Sequence, residues 1–267
     1  MIHLTAIIGS GAKLGENVEV GPHSIIGGKV AIGAGTIIGA NVIIEGEVTI
    51  GRSNRIGHGA IIGGEPQDVS FSPATQSRVE IGDKNLIREY CTIHRGTTEG
   101  SATRIGDENF LMVGVHVGHN CEVGNKVIIA NNVLLAGNVV IADQAFVGGG
   151  TTFHQNMRVG RLVMVQGSSA FGKDLPPFTL AAERNSVFGL NIVGLRRAGF
   201  SAAERDEIKR AFKLLYLSGL NTRQALEKSR ELTWTEIGRE FFAFVAAALE
   251  KRAVCPYKGS ATAADET

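Results

Sequence analysis

The sequence predicts a mainly β chain: a parallel β-helix followed by a smaller α-helical domain. Three observations carry this. An apolar residue recurs every six positions over most of residues 1–177. Glycine is over-used, at 35 of 267 residues, while aromatic residues make up only 6%. That combination calls for a narrow core of small branched side chains, and the regular Val and Ile set the chain apart from disordered or collagen-like Gly-rich sequences. After about Phe200 the apolar spacing changes to the three-and-four pattern of helices.

The repeat begins Ile8, Leu14, Val20, Ile26, Ile32, Ile38, Ile44, Ile50, Ile56 and Ile62, and Gly follows most of these. Two residues earlier stands a small or β-branched residue: Ala6, Ala12, Val18, Ser24, Val30, Thr36, Val42 and Val48. Asn54 is the exception, before Ala60 resumes the pattern. Residues two apart on a strand share a face, so both positions point inward. The Gly suits a turn with unusual dihedrals or a close approach of two backbones. A six-residue side cannot bury its inner face alone. Three sides closing a triangle make an 18-residue coil, and coils stack about 4.8 Å apart as parallel strands. The general rule for parallel crossovers would make the coil right-handed.

The frame breaks after Ile62, resumes one residue out of step at Ile81, Ile87 and Ile93, breaks again, and returns at Ile105. It then runs through Leu111, Val117, Val123, Ile129, Leu135, Ile141, Val147, Phe153, Val159, Val165 and Phe171. Gly63–Glu80 and His94–Arg104 are therefore expected as loops leaving the scaffold, a common location for function. Lys173-Asp174-Leu175-Pro176-Pro177 is expected to end the repeat, because two prolines cannot donate ladder hydrogen bonds. The β-helix thus occupies 1–177. A linker of mixed character follows to about Phe200. A capping box, Ser201 with Glu204, opens a helix whose apolar face is Ile208, Ala211, Phe212, Leu215 and Tyr216, with Gly219 as its stop. Asn221 caps a second helix to about Arg230. Thr233 to Arg252 reads as a third, with Phe241, Phe242, Phe244 and Val245 as its core. Linker and helical domain cover 178–259, and 260–267 is expected to be a disordered tail.

A formal charge of +1 does not point to nucleic acid. Cys91, Cys121 and Cys255 are odd in number and widely spaced, which fits a reducing compartment and no metal or redox motif. The start, MIHLTAIIGSGAKLG, lacks the charged and apolar regions of a signal peptide, and no apolar run approaches a membrane span. A cytoplasmic protein is expected.

Chemistry concentrates in Leu111–Asn125, LMVGVHVGHNCEVGN. Val115 and Val117 take the inward positions, so His116 and His119 point outward or sit at corners. One coil on from His119 lies Gly137, whose unshielded N–H suits an oxyanion donor. His154, 35 positions past His119, falls on roughly the same edge, and His94 precedes a loop. A groove with several imidazoles and a free N–H fits general-base acyl transfer. The bland reading is a solvated surface histidine on a purely structural scaffold. Zinc competes as well, because hexapeptide-repeat carbonic anhydrases hold it between subunits on three histidines, two of them five apart. Here the close pair is three apart.

The ordered motifs resemble a known family over nearly the full length. They are Pro66-Gln67-Asp68, Thr92-Ile93-His94-Arg95-Gly96, His116-Val-Gly-His119, Ala130-Asn131-Asn132, Ala136-Gly137, His154-Gln155, Asp174-Leu175-Pro176-Pro177, and Phe188-Gly189-Leu190-Asn191 leading to Gly194-Leu195-Arg196-Arg197. The chain resembles the UDP-N-acetylglucosamine O-acyltransferases of lipid A biosynthesis. That resemblance implies a left-handed β-helix and a homotrimer with active sites between neighbouring prisms. It implies transfer of an (R)-3-hydroxyacyl group from acyl carrier protein to the sugar 3-hydroxyl. The phosphopantetheine thioester is then the donor substrate, and no cofactor or metal is needed. His119 matches the general base and Gly137 the oxyanion donor. Asp68, His94 and His116 match groups around the glucosamine and acyl chain, and Gln67 a substrate-binding position. His154, Gln155, Asn191 and Arg197 match the nucleotide side, and Gly167 a position that limits acyl length. Asn120 stands where an acid commonly follows the base, Asn138 where relatives often have His, Ser70 in place of a Lys, and Val193 in place of a Glu. A related N-acyltransferase acting on a 3-amino UDP-sugar is the alternative.

Overall fold

Two-residue strands stack in register across three sides of a prism in the computed structural model, which describes residues 1–259. Ile7–Ile8 pairs in parallel with Ile25–Ile26, and that strand with Ile43–Ile44, 18 residues further each time. Three sheets result, of nine, eight and ten strands. Face I carries His116–Val117, face II Glu122–Val123 and face III Ile128–Ile129. The coil is left-handed.

The inner column is the one the spacing predicts, from Val20 and Ile26 through Val165 and Phe171, all buried. The polar members are tolerated because each makes a hydrogen bond, although the buried Asn109 Nδ2 has no partner among the described residues. Ser24 Oγ donates to Gly39 O at 2.7 Å and Thr36 Oγ1 to Gly51 O at 3.0 Å. Asn54 starts an internal amide ladder. Its Oδ1 accepts from Asn85 N at 2.8 Å, Asn85 Oδ1 from Asn109 N at 2.9 Å, and Asn109 Oδ1 from Val127 N at 2.8 Å. An amide in each of three coils replaces methyl groups without leaving these backbone N–H groups unpaired.

The glycine after each apolar residue serves close approach. A Cβ on Gly118 would lie 2.7 Å from Leu135 O, on the next coil. The left-handed residue comes two positions later, as at Asn120 (φ 59°), Asn138 (φ 60°) and Asn156 (φ 62°). Asn is among the few residues that take this conformation readily.

Both expected loops are shorter than the spacing implied. Strand Ile61–Gly64 runs past Gly63, and strand Arg78–Ile81 already contains Glu80, so the excursion is 65–77. His94 belongs to strand Thr92–His94 and Arg104 to strand Ala102–Ile105, leaving 95–101. Long strands flank each excursion because every inward residue there, Val79 and Ile81 included, still fills the core.

The prolines do not end the coil. Leu175 bridges to Val159, and Thr179–Ala182 pairs in parallel with Met164–Val165, so one more turn is completed. Pro176 and Pro177 sit at the corner, where no ladder N–H is required. The expected linker is also ordered. Thr179–Ala182 and Ser186–Leu190 form an antiparallel pair that closes face III, and helix α1 spans Ile192–Arg197.

Helices α2 (Ala202–Tyr216) and α3 (Thr222–Arg230) follow, each opened by a complete capping box, Ser201/Glu204 and Asn221/Gln224. Helix α2 ends before Gly219. Helix α4 covers only Glu236–Leu249 of the expected 233–252, and Phe244 is half-buried beneath Arg158 instead of in the core. Arg158 joins the two parts: its guanidinium meets the buried Asp174 carboxylate at 2.8 Å and lies 4.8 Å from the Phe244 ring centroid. The expected tail, 260–267, lies outside the described residues. Among the described residues no helix is long and apolar enough to cross a membrane.

Candidate active site

His119 stands on the corner between faces I and II. Its imidazole lies over Gly137, so a Cβ on that glycine would overlap Cε1 and Nε2. Asn138 N donates to His119 O at 2.9 Å, whereas the Gly137 N–H donates to no acceptor among the described residues. His119 Nδ1 is 3.0 Å from Asn120 Oδ1. Strict strand alternation would turn residue 120 away from 119. The left-handed conformation of Asn120 breaks that alternation and brings the two side chains together.

His116 projects outward from face I, with Nδ1 2.8 Å from Thr92 Oγ1. Its ring packs edge-on against His94, centroids 5.1 Å apart, and His94 Nδ1 meets Glu65 O at the start of the first excursion. Burial holds the His116 imidazole below the ordinary histidine value, and the nearby His94 and His119 push the same way, so it is a neutral neighbour of His119 near pH 7.

The 65–77 excursion supplies Gln67, exposed, and Asp68. Ser70 donates its hydroxyl and backbone N–H to Asp68 Oδ1 at 2.7 and 2.9 Å. Those two bonds hold the carboxyl below its ordinary value, and the charge of His119 lowers it further, which places Asp68 in the same electrostatic neighbourhood. Ser70 is therefore what presents Asp68. Arg95 braces the segment: it donates to Thr75 O at 2.6 Å and lies 4.8 Å from the Phe71 ring centroid. The sequence shows Arg95 only as a member of the Thr92–Gly96 motif and gives it no role, because the loop carbonyls it meets lie about 20 residues away.

Gln155, not His154, occupies the corner column of His119 and Gly137. His154 follows Phe153 as Ala136 follows Leu135 and Gly118 follows Val117, two coils from Gly118. Both His154 and Gln155 are exposed on the same edge as His119.

Three sequence candidates lie elsewhere on the prism. Gly167 is on the corner between faces III and I, where a Cβ would lie 3.0 Å from Gly149 O. Asn191 and Arg197 border a cleft of about 700 Å³ over face III, floored by Ile128, Phe146 and Met164. Both polar atoms of Asn191 are engaged, accepting from Gly194 N at 2.9 Å to cap α1 and donating to Leu162 O at 2.9 Å. Asn191 thus fixes the helix that carries Arg197. Val193 lines the same cleft. A single chain does not bring this cleft to His119. Among the described residues no three His, Cys, Asp or Glu side chains gather as a metal site.

A coil of six-residue sides, a histidine over an unbonded N–H at one corner and a helical cap define an acyltransferase of the hexapeptide-repeat class. Residues 102–137 match the model of bacterial transferase hexapeptide repeats, and 174–255 match domain 2 of UDP-N-acetylglucosamine O-acyltransferase. The acyl-[acyl-carrier-protein]–UDP-N-acetylglucosamine O-acyltransferase of Paraburkholderia phymatum is 46% identical over 86% of this chain and 88% of its own length. The Thiobacillus denitrificans enzyme of that name is 45% identical over 85% and 88%. A UDP-N-acetylglucosamine acyltransferase from Campylobacter jejuni superposes with a TM-score of 0.90 at 37% identity, covering 97% of this chain and 100% of the other. The chain belongs to the UDP-N-acetylglucosamine O-acyltransferase family, and it is an acyltransferase.

Proposed function

We propose that this chain transfers an (R)-3-hydroxyacyl group from acyl carrier protein to the 3-hydroxyl of UDP-N-acetylglucosamine, the first step of lipid A biosynthesis, with His119 as general base. The observation that carries the mechanism is the placement of His119. Nδ1 is tied to Asn120, while Nε2 lies over Gly137 and has no protein partner among the described residues. Nε2 takes the proton of the sugar hydroxyl as its oxygen attacks the thioester carbonyl. The Gly137 N–H stabilises the oxyanion. Collapse breaks the C–S bond, and the imidazolium returns the proton to the departing thiolate. His116, neutral and beside the base, adds no competing charge. No metal or cofactor takes part.

A trimer completes the site. The outward side chains of face I include Ile7, Ile25, Ile61 and Leu134, and those of face III include Ile37 and Ile128, all exposed. Face II instead bears a charged ladder, with Arg104 2.8 Å from Glu80 and 3.8 Å from Glu122. Apolar faces I and III are suited to meet between subunits and charged face II to face water, a head-to-tail contact that closes a ring. Face III of a neighbour then brings Arg197 opposite His119 and makes one continuous cleft.

The protein is incubated with UDP-N-acetylglucosamine and a panel of acyl carrier protein thioesters, and the products are weighed. An acylated UDP-sugar is expected. Acylation only of the 3-amino sugar would replace this reading with the N-acyl one. Light scattering should return the trimer mass.

A further inference from the structure

Asn120 Oδ1 sits at a junction. It accepts from Thr97 N at 3.0 Å and from Thr97 Oγ1 at 3.0 Å, and it lies 3.0 Å from His119 Nδ1. A backbone N–H can only donate. The amide therefore turns its oxygen, and not its NH2, toward Thr97, and the same oxygen faces His119. Nδ1 then carries the imidazole proton, and Nε2 keeps the lone pair that a base requires.

An amide turned over would do the opposite. Its NH2 would donate to Nδ1, the ring proton would move to Nε2, and the base would be lost. It would also set donor against donor at the Thr97 N–H. A carboxylate at this position needs no such control, because both of its oxygens accept whichever way it turns. With Asn at 120, the orientation has to be imposed from outside.

We propose that Thr97 is a positioning residue that locks the Asn120 amide and so holds His119 in the Nδ1–H tautomer. This rests on the reading of His119 as the base. It also assigns a task to the second excursion. Arg78 pairs with Ala102, 24 residues on, where regular coils advance 18. The extra residues carry Thr97 to the corner of the following coil. The segment is braced for the purpose: Ser77 Oγ donates to Gly96 O at 2.6 Å, Gly100 N to Gln76 O at 2.8 Å, and Ser101 Oγ to Thr98 O at 2.7 Å. The other side of the junction is held as well, since Asn120 N donates to Thr103 Oγ1 at 2.8 Å.

The test is a set of variants in the full-length enzyme, assayed on the pH-independent plateau of kcat/KM. Thr97→Val keeps the backbone N–H and removes the hydroxyl, and loss of one such bond predicts a rate roughly 2–10-fold lower. Thr97→Ser should restore most of it. In an Asn120→Asp background Thr97→Val should cost little, because the carboxylate enforces the tautomer unaided. An equal loss in both backgrounds would overturn the proposal and make Thr97 merely a loop residue. Nitrogen NMR of labelled histidine supplies an activity-independent reading: neutral His119 should show a protonated Nδ1, with an increased Nε2–H population in Thr97→Val. A wild-type enzyme protonated on Nε2 would refute the proposal. Full turnover by His119→Ala would overturn the base assignment instead, and leave the tautomer result to be judged on the NMR.

Discussion

The imidazole of His119 rests on the backbone of Gly137, one coil further along the chain, with no room between them for a methyl group. Stacking alone creates this pair. An 18-residue advance brings each corner over the last, and glycine is the residue that leaves both the imidazole and the N–H undisturbed.

Gly137→Ala should therefore retain the fold and lose catalysis. The inward neighbours Leu135 and Val139 are unaffected, and residue 137 is not among the positive-φ positions. A displaced base of this kind costs on the order of 100-fold in kcat. Turnover measured beside the melting temperature checks it: a normal melt with near-normal turnover would contradict the geometry.

His119→Ala should lower the rate by about 10²–10⁴ through loss of the positioned base. Val117 and Cys121, buried on either side, keep the coil packed. Circular dichroism should be unchanged while product formation falls.

Asn120→Asp puts a carboxylate where an amide now touches His119 Nδ1. A carboxylate stabilises the protonated imidazole, so more of the enzyme is inactive at a given low pH. The acidic limb of kcat/KM should move to higher pH, read from profiles of wild type and variant on the same substrates. Coincident limbs would mean that residue 120 does not tune the base.

Gly167→Met should shift product chains shorter. Even a Cβ at 167 meets Gly149 O at 3.0 Å, so the longer side chain has to project away from the coil at the corner between faces III and I, the position to which the family resemblance gives the acyl-length limit. Mass spectrometry of products from mixed donors reports the shift, and an unchanged distribution would remove Gly167 from the acyl-length role.

Acid should weaken the fold through His116. Its imidazole is held below the ordinary value of 6.5 by burial and by His94 and His119, so the unfolded chain binds the proton more readily. Its contribution is fully present above 6.5 and falls as pH drops through and below that value. Urea midpoints between pH 7.5 and 5 should decline, and less steeply in His116→Gln.

Which parts of the molecule could be read from sequence follows from where the interactions lie. The column from Ile8 to Phe171 determined a three-sided parallel coil, because only that geometry buries one residue in six and its neighbour two before. Ser201/Glu204 and Asn221 determined two helix starts, because a cap is a local contact. The coincidence of His119 with Gly137 was legible for the same reason, as arithmetic on a fixed period. Long-range partners were not. Thr179–Ala182 is a strand only because Met164–Val165 offers it an edge, and the prolines before it occupy a corner where their missing N–H costs nothing. Asn54 looked like a flaw in the repeat until Asn85 and Asn109 lay above it. The contacts of Asn120 with His119 on one side and with Thr97 on the other required a left-handed corner and an excursion folded back on the next coil. Side-chain direction at a corner is set by tertiary packing, not by spacing, and there the structure alone decided which atoms meet.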